Sequence, residues 1–149
     1  MIYILDTDIL SLLGHKDSPE APRIRRRIVE LPAEHSVVTT VINYEEQMRG
    51  WMASLSRAKT SKSEIQIYAR LLQHLSTFRR MTVLAYDEVA ASIAEQFQRQ
   101  RVPIGTMDLK IASIVIASDA ALVTRNTADF RKVPGLRIEN WANGGHALH

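Results

Sequence analysis

Residues 1–13 read Met1-Ile2-Tyr3-Ile4-Leu5-Asp6-Thr7-Asp8-Ile9-Leu10-Ser11-Leu12-Leu13. The run from Ile2 to Leu5 is continuously apolar and rich in β-branched and aromatic side chains. Such a run reads as a strand buried on both faces. It ends on two acids. A buried carboxylate is costly unless something pairs with it, so Asp6 belongs at the strand's end, where the chain leaves the core. A helix cap, a turn and a chemical site all use an aspartate there, and the rest of the chain has to decide.

Working outward, Ala21 to Leu31 is a short helical stretch bracketed by Pro19, Pro22 and Pro32. His35–Thr39 reads as a second strand, followed by a long helical pattern from Thr40 to Arg57. Ile65, Tyr68, Leu72 and Leu75 recur at helical spacing and mark another helix. Met81–Leu84 reads as a strand. Asp87 is placed to cap the next helix, whose apolar stripe is Ala90, Ile93, Ala94 and Phe97. Thr106 is placed to cap a helix running through Ser118. Ala121–Thr124 and Leu136–Ile138 read as the last strands. Strands alternating with helices predict an α/β domain with a mostly parallel sheet and helices on both faces. Residues 1–142 are expected to form this single domain. Residues 143–149, which include Gly144-Gly145, are expected to be a flexible tail.

The 149 residues suffice for one domain with a substantial core. The chain has no cysteine, which excludes disulfides and thiolate zinc sites. No stretch is apolar enough to span a bilayer, and the N-terminus lacks the pattern of a signal peptide. A cytoplasmic protein with no membrane partner is expected. Nineteen basic residues against 16 acidic ones give a net charge of +3. That excess permits nucleic-acid binding without proving it. Arg23, Arg25, Arg26 and Arg27 form one basic cluster. Arg49, Arg57, Lys59 and Lys62 form another. A solvated helix face is the competing reading of each.

Parallel sheets place their sites beyond the carboxyl ends of the strands. Asp6 ends the first strand. Asp129 lies in the loop after Ala121–Thr124. Asp108 lies near the start of the Thr106 helix, where the helix dipole alone would favour it. Glu46 lies about two turns into the helix after the second strand. On a helical wheel, Val41, Tyr44, Met48, Met52 and Leu55 form an apolar face, Asn43, Glu46 and Gly50 lie opposite, and Glu45 sits at the flank. Each acid taken singly has a structural explanation as a turn, cap or solvated residue. Four acids at compatible ends of one sheet are stronger evidence. Carboxylates held close together repel, and a hard divalent cation relieves them. Mg²⁺ or Mn²⁺ suits such oxygen donors and would support metal-assisted phosphodiester hydrolysis. No cysteine nucleophile or Ser–His–Asp pattern argues for acyl transfer instead.

Three segments carry a family likeness. They are Ile4-Leu5-Asp6-Thr7-Asp8-Ile9-Leu10, then Pro103-Ile104-Gly105-Thr106-Met107-Asp108-Leu109-Lys110-Ile111-Ala112, then Leu122-Val123-Thr124-Arg125-Asn126-Thr127-Ala128-Asp129-Phe130. The ending from Val133 to Trp141 agrees with them. In this order they resemble the PIN-domain ribonucleases, and most nearly the VapC-type toxins of bacterial toxin–antitoxin pairs. The resemblance spans nearly the whole chain. It implies a three-layer α/β/α domain and an Mg²⁺- or Mn²⁺-dependent endoribonuclease. Asp6 and Asp108 match the family's metal-binding aspartates. Glu46 matches its second acid, because a glycine, Gly50, follows four residues later. Asp129 matches the fourth acid, and Thr124 and Asn126 match polar positions near that site. Asn43 stands where the family usually has Ser or Thr, and Gln47 where it usually has an aliphatic residue.

The resemblance further implies a small cognate antitoxin, a homodimer, and tRNA or rRNA as substrate. Arg25, Arg26, Arg49, Arg57, Lys59 and Lys62 are candidates for the RNA backbone. Asp8 is expected to cap the first helix. The alternatives are a housekeeping PIN ribonuclease in RNA maturation and a non-catalytic RNA- or protein-binding module. A receiver-like phosphorylation domain is more distant, since the spacing from Asp6 to the next strand-end acid does not fit it.

Overall fold

The computed structural model describes residues 1–143 and the backbone of residues 147–148. The opening apolar run forms strand β1 (Ile2–Leu5). The other strands are β2 (Ser36–Thr40), β3 (Val83–Leu84), β4 (Ala121–Val123), β5 (Arg137–Glu139) and β6 (Ala147–Leu148). Their spatial order is β3-β2-β1-β4-β5-β6. β1 to β5 pair in parallel, and β6 runs antiparallel to β5. Apart from the β6 backbone and Asn143, the expected tail lies outside the described residues.

Among the described residues seven helices cover the sheet: α1 (Thr7–Leu13), α2 (Ala21–Glu30), α3 (Val41–Arg57), α4 (Ser61–Arg80), α5 (Glu88–Arg99), α6 (Thr106–Ala117) and α7 (Thr127–Phe130). Successive strand residues point to opposite faces. Ile4, Leu122 and Ile138 therefore enter one core with Ile42, Ala90, Phe97, Leu109, Ile111 and Phe130. Leu5 and Val123 enter the other with Ile9, Ile24, Phe78 and Trp141. This is the expected three-layer α/β/α arrangement. Each fully buried Leu, Ile or Phe side chain contributes about 1.5–3 kcal/mol, and both faces of β1 and β4 draw on it.

The chain lays down β1, β2 and β3 in one direction and then returns to the other side of β1 for β4. The crossovers diverge between β1 and β4, and open α/β sheets bind ligands beyond the strand ends at such a point. Leu5 is in register with Val123. The next residues along, Asp6 and Thr124, are consequently neighbours.

Several local expectations are corrected. Thr106 does not cap α6: Gly105 is the N-cap, with no side-chain cap bond, and Thr106 is already helical. The wheel for α3 places Val41 and Met52 on the apolar face, yet both are exposed, while Ile42 and Asn43 are buried. The reason is tertiary. α3 packs against α1 and α6, and the polar side of its first turns faces the strand ends. The α4 stripe is likewise turned outward. His74 and Phe78 are its buried residues, and Ile65, Tyr68, Leu72 and Leu75 are exposed. Asp87 caps α5 as expected, accepting from the Ala90 N–H at 3.0 Å.

Candidate active site

The end of β1 is built around Asp6. Its backbone N–H continues the sheet by donating to the Val123 carbonyl at 2.9 Å. Its side chain is the N-cap of α1, with Oδ1 accepting from the Thr7 N–H at 2.9 Å. Asp8, expected as the cap, lies in the first turn and instead braces the loop after β4, its Oδ2 accepting from the Arg125 N–H at 3.0 Å. The change follows from where the strand stops, since only Asp6 has the extended backbone an N-cap needs.

Two more donors hold Asp6. Asn43 Nδ2 donates to Oδ1 at 3.1 Å, and the Thr124 hydroxyl donates to Oδ2 at 2.8 Å. Asn43 and Thr124 are fully buried. Asn43 is fixed in turn by the Thr40 hydroxyl, which donates to its Oδ1 at 2.7 Å and caps α3 by accepting from the N–H groups of Ile42 and Asn43. One carboxylate thus ties together the ends of β1, β2 and β4.

Glu46 lies one helical turn after Asn43, on the same side of α3. Its Oε1 accepts from the Thr7 hydroxyl at 3.3 Å, and that hydroxyl accepts from Asn43 Nδ2 at 3.0 Å. Asp108 is half-buried in the first turn of α6. Asp129 accepts from Asn126 Nδ2 at 3.2 Å and meets Lys132 at 3.4 Å. The Asn126 N–H donates to the Thr124 hydroxyl at 3.0 Å. The fourth acid is therefore chained to the first through Asn126 and Thr124.

The electrostatics match this geometry. Burial, then the Asp8 charge, push the Asp6 carboxyl up to about 7 against the bonds from Thr124 and Thr7, and Asp108 pushes the same way. Glu46 is raised by burial and by Asp108. Asp108 is raised by burial and by Asp129 and Asp8. Asp8 is raised by burial, and its Oδ1 is buried without a hydrogen-bond partner. The acids therefore sense one another across the pocket. No group of three His, Asp or Glu among the described residues forms a preformed metal cage. An all-oxygen set of this openness suits a hard cation that keeps several waters and takes one or two carboxylates.

The basic candidates separate. Arg57 lines a cleft that also includes Glu46. Arg49 is paired with Glu45 at 2.6 Å, and Arg25 donates to the Leu13 carbonyl at 2.8 Å. Arg26, Lys59 and Lys62 are exposed, and Arg25 and Arg26 stand on α2, away from α3. Lys110 sits over the Tyr86 ring, 5.7 Å from its centre. Sequence reasoning missed the parts played by Thr7, Asn43 and Asp8. The Thr40-x-x-Asn43 spacing, a cap followed by a buried amide, was the available signal.

Comparison with known proteins agrees with the fold. The PIN domain model matches residues 3–136. The chain is 27% identical over 143 residues to Ribonuclease VapC2 of Rickettsia felis, covering 95% of this chain and 98% of that protein. It is 39% identical over 67 residues to the tRNA(fMet)-specific endonuclease VapC of Shigella flexneri, covering 42% of this chain and 51% of that one. The structure of VapBC2 from Rickettsia felis, bound to a DNA fragment from the promoter, superposes with a TM-score of 0.69 at 26% identity, covering 95% of this chain and 99% of that chain. With the family model spanning most of its length, the chain belongs to the PIN domain family.

Proposed function

We propose that this protein is a divalent-metal-dependent endoribonuclease, the toxin of a toxin–antitoxin pair, which acts in the cytoplasm and hydrolyses phosphodiester bonds of tRNA or rRNA. The observation that carries the reading is Asp6, a buried carboxylate held by three donors at the strand switch point, with Asp108 close enough to raise the proton affinity of both Asp6 and Glu46. The cofactor is Mg²⁺ or Mn²⁺. Asp6 and Asp108 would hold it, with Glu46 and Asp129 completing the acidic set. When bound, it supplies an activated water and neutralises charge at the phosphate.

The chain's own residues supply the order. Thr124, Asn43 and the Thr7 N–H fix both Asp6 oxygens, so its direction is set before substrate arrives. Thr7 orients Glu46, and Asn126 orients Asp129. Lys132 contacts the same carboxylate from outside and limits its repulsion.

The tRNA reading is supported by the name of the Shigella relative, and the antitoxin by the toxin–antitoxin resemblance and the VapBC neighbour. The exposed apolar stripe Ile65, Tyr68, Leu72 and Leu75 on α4 is a surface of the kind that partner chains cover. It is where the expected homodimer or the antitoxin would act.

The test is cleavage of total RNA with Mg²⁺ or Mn²⁺, comparing wild type, Asp6→Asn and an EDTA control. Discrete fragments with 5′-phosphate ends, lost in the variant and in EDTA, are expected. A 2′,3′-cyclic phosphate product would contradict the mechanism, because it marks attack by the 2′-hydroxyl.

A further inference from the structure

We propose that the cleft between α1 and α3, next to Glu46, is a base-binding subsite for single-stranded RNA, with Trp51 as the stacking surface and Arg57 as a phosphate contact. The proposal rests on the ribonuclease reading above and adds where the strand runs and what holds it.

The cleft has a volume of about 410 Å³, with Thr7 and Glu46 at one end and Arg57 at the other. It is continuous with the acidic site, since Thr7 and Glu46 hydrogen-bond to each other within it. Glu46, Gly50, Ser54 and Arg57 follow the i, i+4, i+8, i+11 spacing of one helix face. At a rise of 1.5 Å per residue, Glu46 and Arg57 lie about 16 Å apart along the axis. A scissile phosphate at one end and a further phosphate at the other fit that span.

The lining suits a nucleotide better than an apolar ligand. Trp51 is its one aromatic side chain, half-buried and braced by the edge of His74, ring centres 6.4 Å apart. Bases stack on such rings with little regard to sequence. Arg57 is exposed and enters no ion pair among the described residues. Lys59 and Lys62, both exposed, follow it in the chain. Gly50 leaves the wall open: a Cβ built there meets nothing within 4 Å. A glycine inside a helix weakens it, and no contact of the fold requires one at position 50.

The protein provides its own reporter. It has two tryptophans, and Trp141 is buried at 1% exposure. Stacking on Trp51 is therefore read as fluorescence quenching. A cleavage-deficient Asp108→Asn protein is titrated with a single-stranded hexanucleotide. Quenching is expected, and it disappears in Trp51→Phe. In the active protein, Trp51→Ala raises KM for RNA between about 5- and 150-fold, the range of one lost stacking contact. Its kcat stays within about 2-fold, as for uniform binding. Trp51→Phe restores part of the KM, and Arg57→Gln lowers the salt slope of binding by about one. Gly50→Leu extends a side chain into the open cleft and raises KM in the same way.

Cleavage that persists with unchanged KM and no quenching overturns the subsite and leaves the ribonuclease reading intact. Quenching by an antitoxin-derived peptide but not by RNA assigns the cleft to a protein and also overturns it. No cleavage by wild type under any metal condition overturns the underlying reading, and this proposal with it.

Discussion

Asp6→Asn should make the metal-free protein more stable at neutral pH. Folding raises the Asp6 carboxyl from its ordinary 3.8 to about 7. The folded state therefore binds this proton more tightly than the unfolded chain does. The sign follows from linkage: stability is greatest below pH 3.8 and is lost as pH rises toward 7. At about 1.4 kcal/mol per pH unit, the ionised carboxylate costs the folded state roughly 4 kcal/mol above pH 7. Asparagine removes that cost. It also gives up the charge-assisted bond from Thr124, worth roughly 1.5–3 kcal/mol, while keeping an oxygen for Thr7 and Asn43. The net gain at pH 8 is about 1–3 kcal/mol, which for a chain of this size is a rise in Tm of about 2–10 °C.

The assay is thermal or urea unfolding of both proteins in EDTA from pH 4 to pH 8.5. The difference between them cancels other titrating groups that the substitution leaves undisturbed. It should shrink by about 1.4 kcal/mol per unit below pH 7, vanish between about pH 5 and pH 6, and favour wild type near pH 4. Adding Mn²⁺ should then stabilise wild type by mass action and the variant much less. A difference that is flat with pH, or that favours wild type at pH 8 in EDTA, would refute the argument that Asp6 is held ionised at a cost a cation relieves.

Three further outcomes are expected. Glu46→Gln and Asp108→Asn should each lower cleavage by at least about 100-fold, since a metal's charge stabilisation is worth several kcal/mol, with unchanged circular dichroism. Asp8→Ala should release the Arg125 N–H and the loop bearing Thr124 and Asn126, lowering Mn²⁺ affinity and cleavage about 10- to 100-fold as supporting partners do. Asp8→Asn, which keeps the acceptor, should recover most of the affinity. Leu72→Glu should leave the fold and RNA cleavage in place but weaken self-association, measured by light scattering; unchanged association would exclude the α4 stripe from a dimer interface.

The fold was legible because the strands here are short, continuous apolar runs set between helical periods. Ile2–Leu5 and Ala121–Val123 could be read with no knowledge of neighbours, because a strand buried on both faces leaves no ambiguity about which side is in. Helix faces were harder, for a physical reason. Periodicity says that a helix has two sides, not which side the rest of the protein covers. On α4 the apolar residues do form a stripe, but it faces outward, so hydrophobicity there reports a surface rather than the core. On α3 the buried residues are Ile42 and the polar Asn43. Asn43 can be buried because Thr40 satisfies its carbonyl and Asp6 and Thr7 receive its amide. A buried polar side chain satisfied on every side is invisible to a hydrophobic wheel and visible only once its partners, 36 and 37 residues away, are in place. The candidate acids could be picked from the sequence because Asp6 and Asp129 follow strands and Glu46 and Asp108 lie in the early turns of helices. What orients them could not, because the orienting groups are ordinary Thr and Asn residues whose role arises only when β1, β2 and β4 come together. That distinction bears on function. A homologue could keep all four acids and still lose activity if positions 43 and 124 no longer carried hydrogen-bonding side chains, and a search for acids alone would miss it.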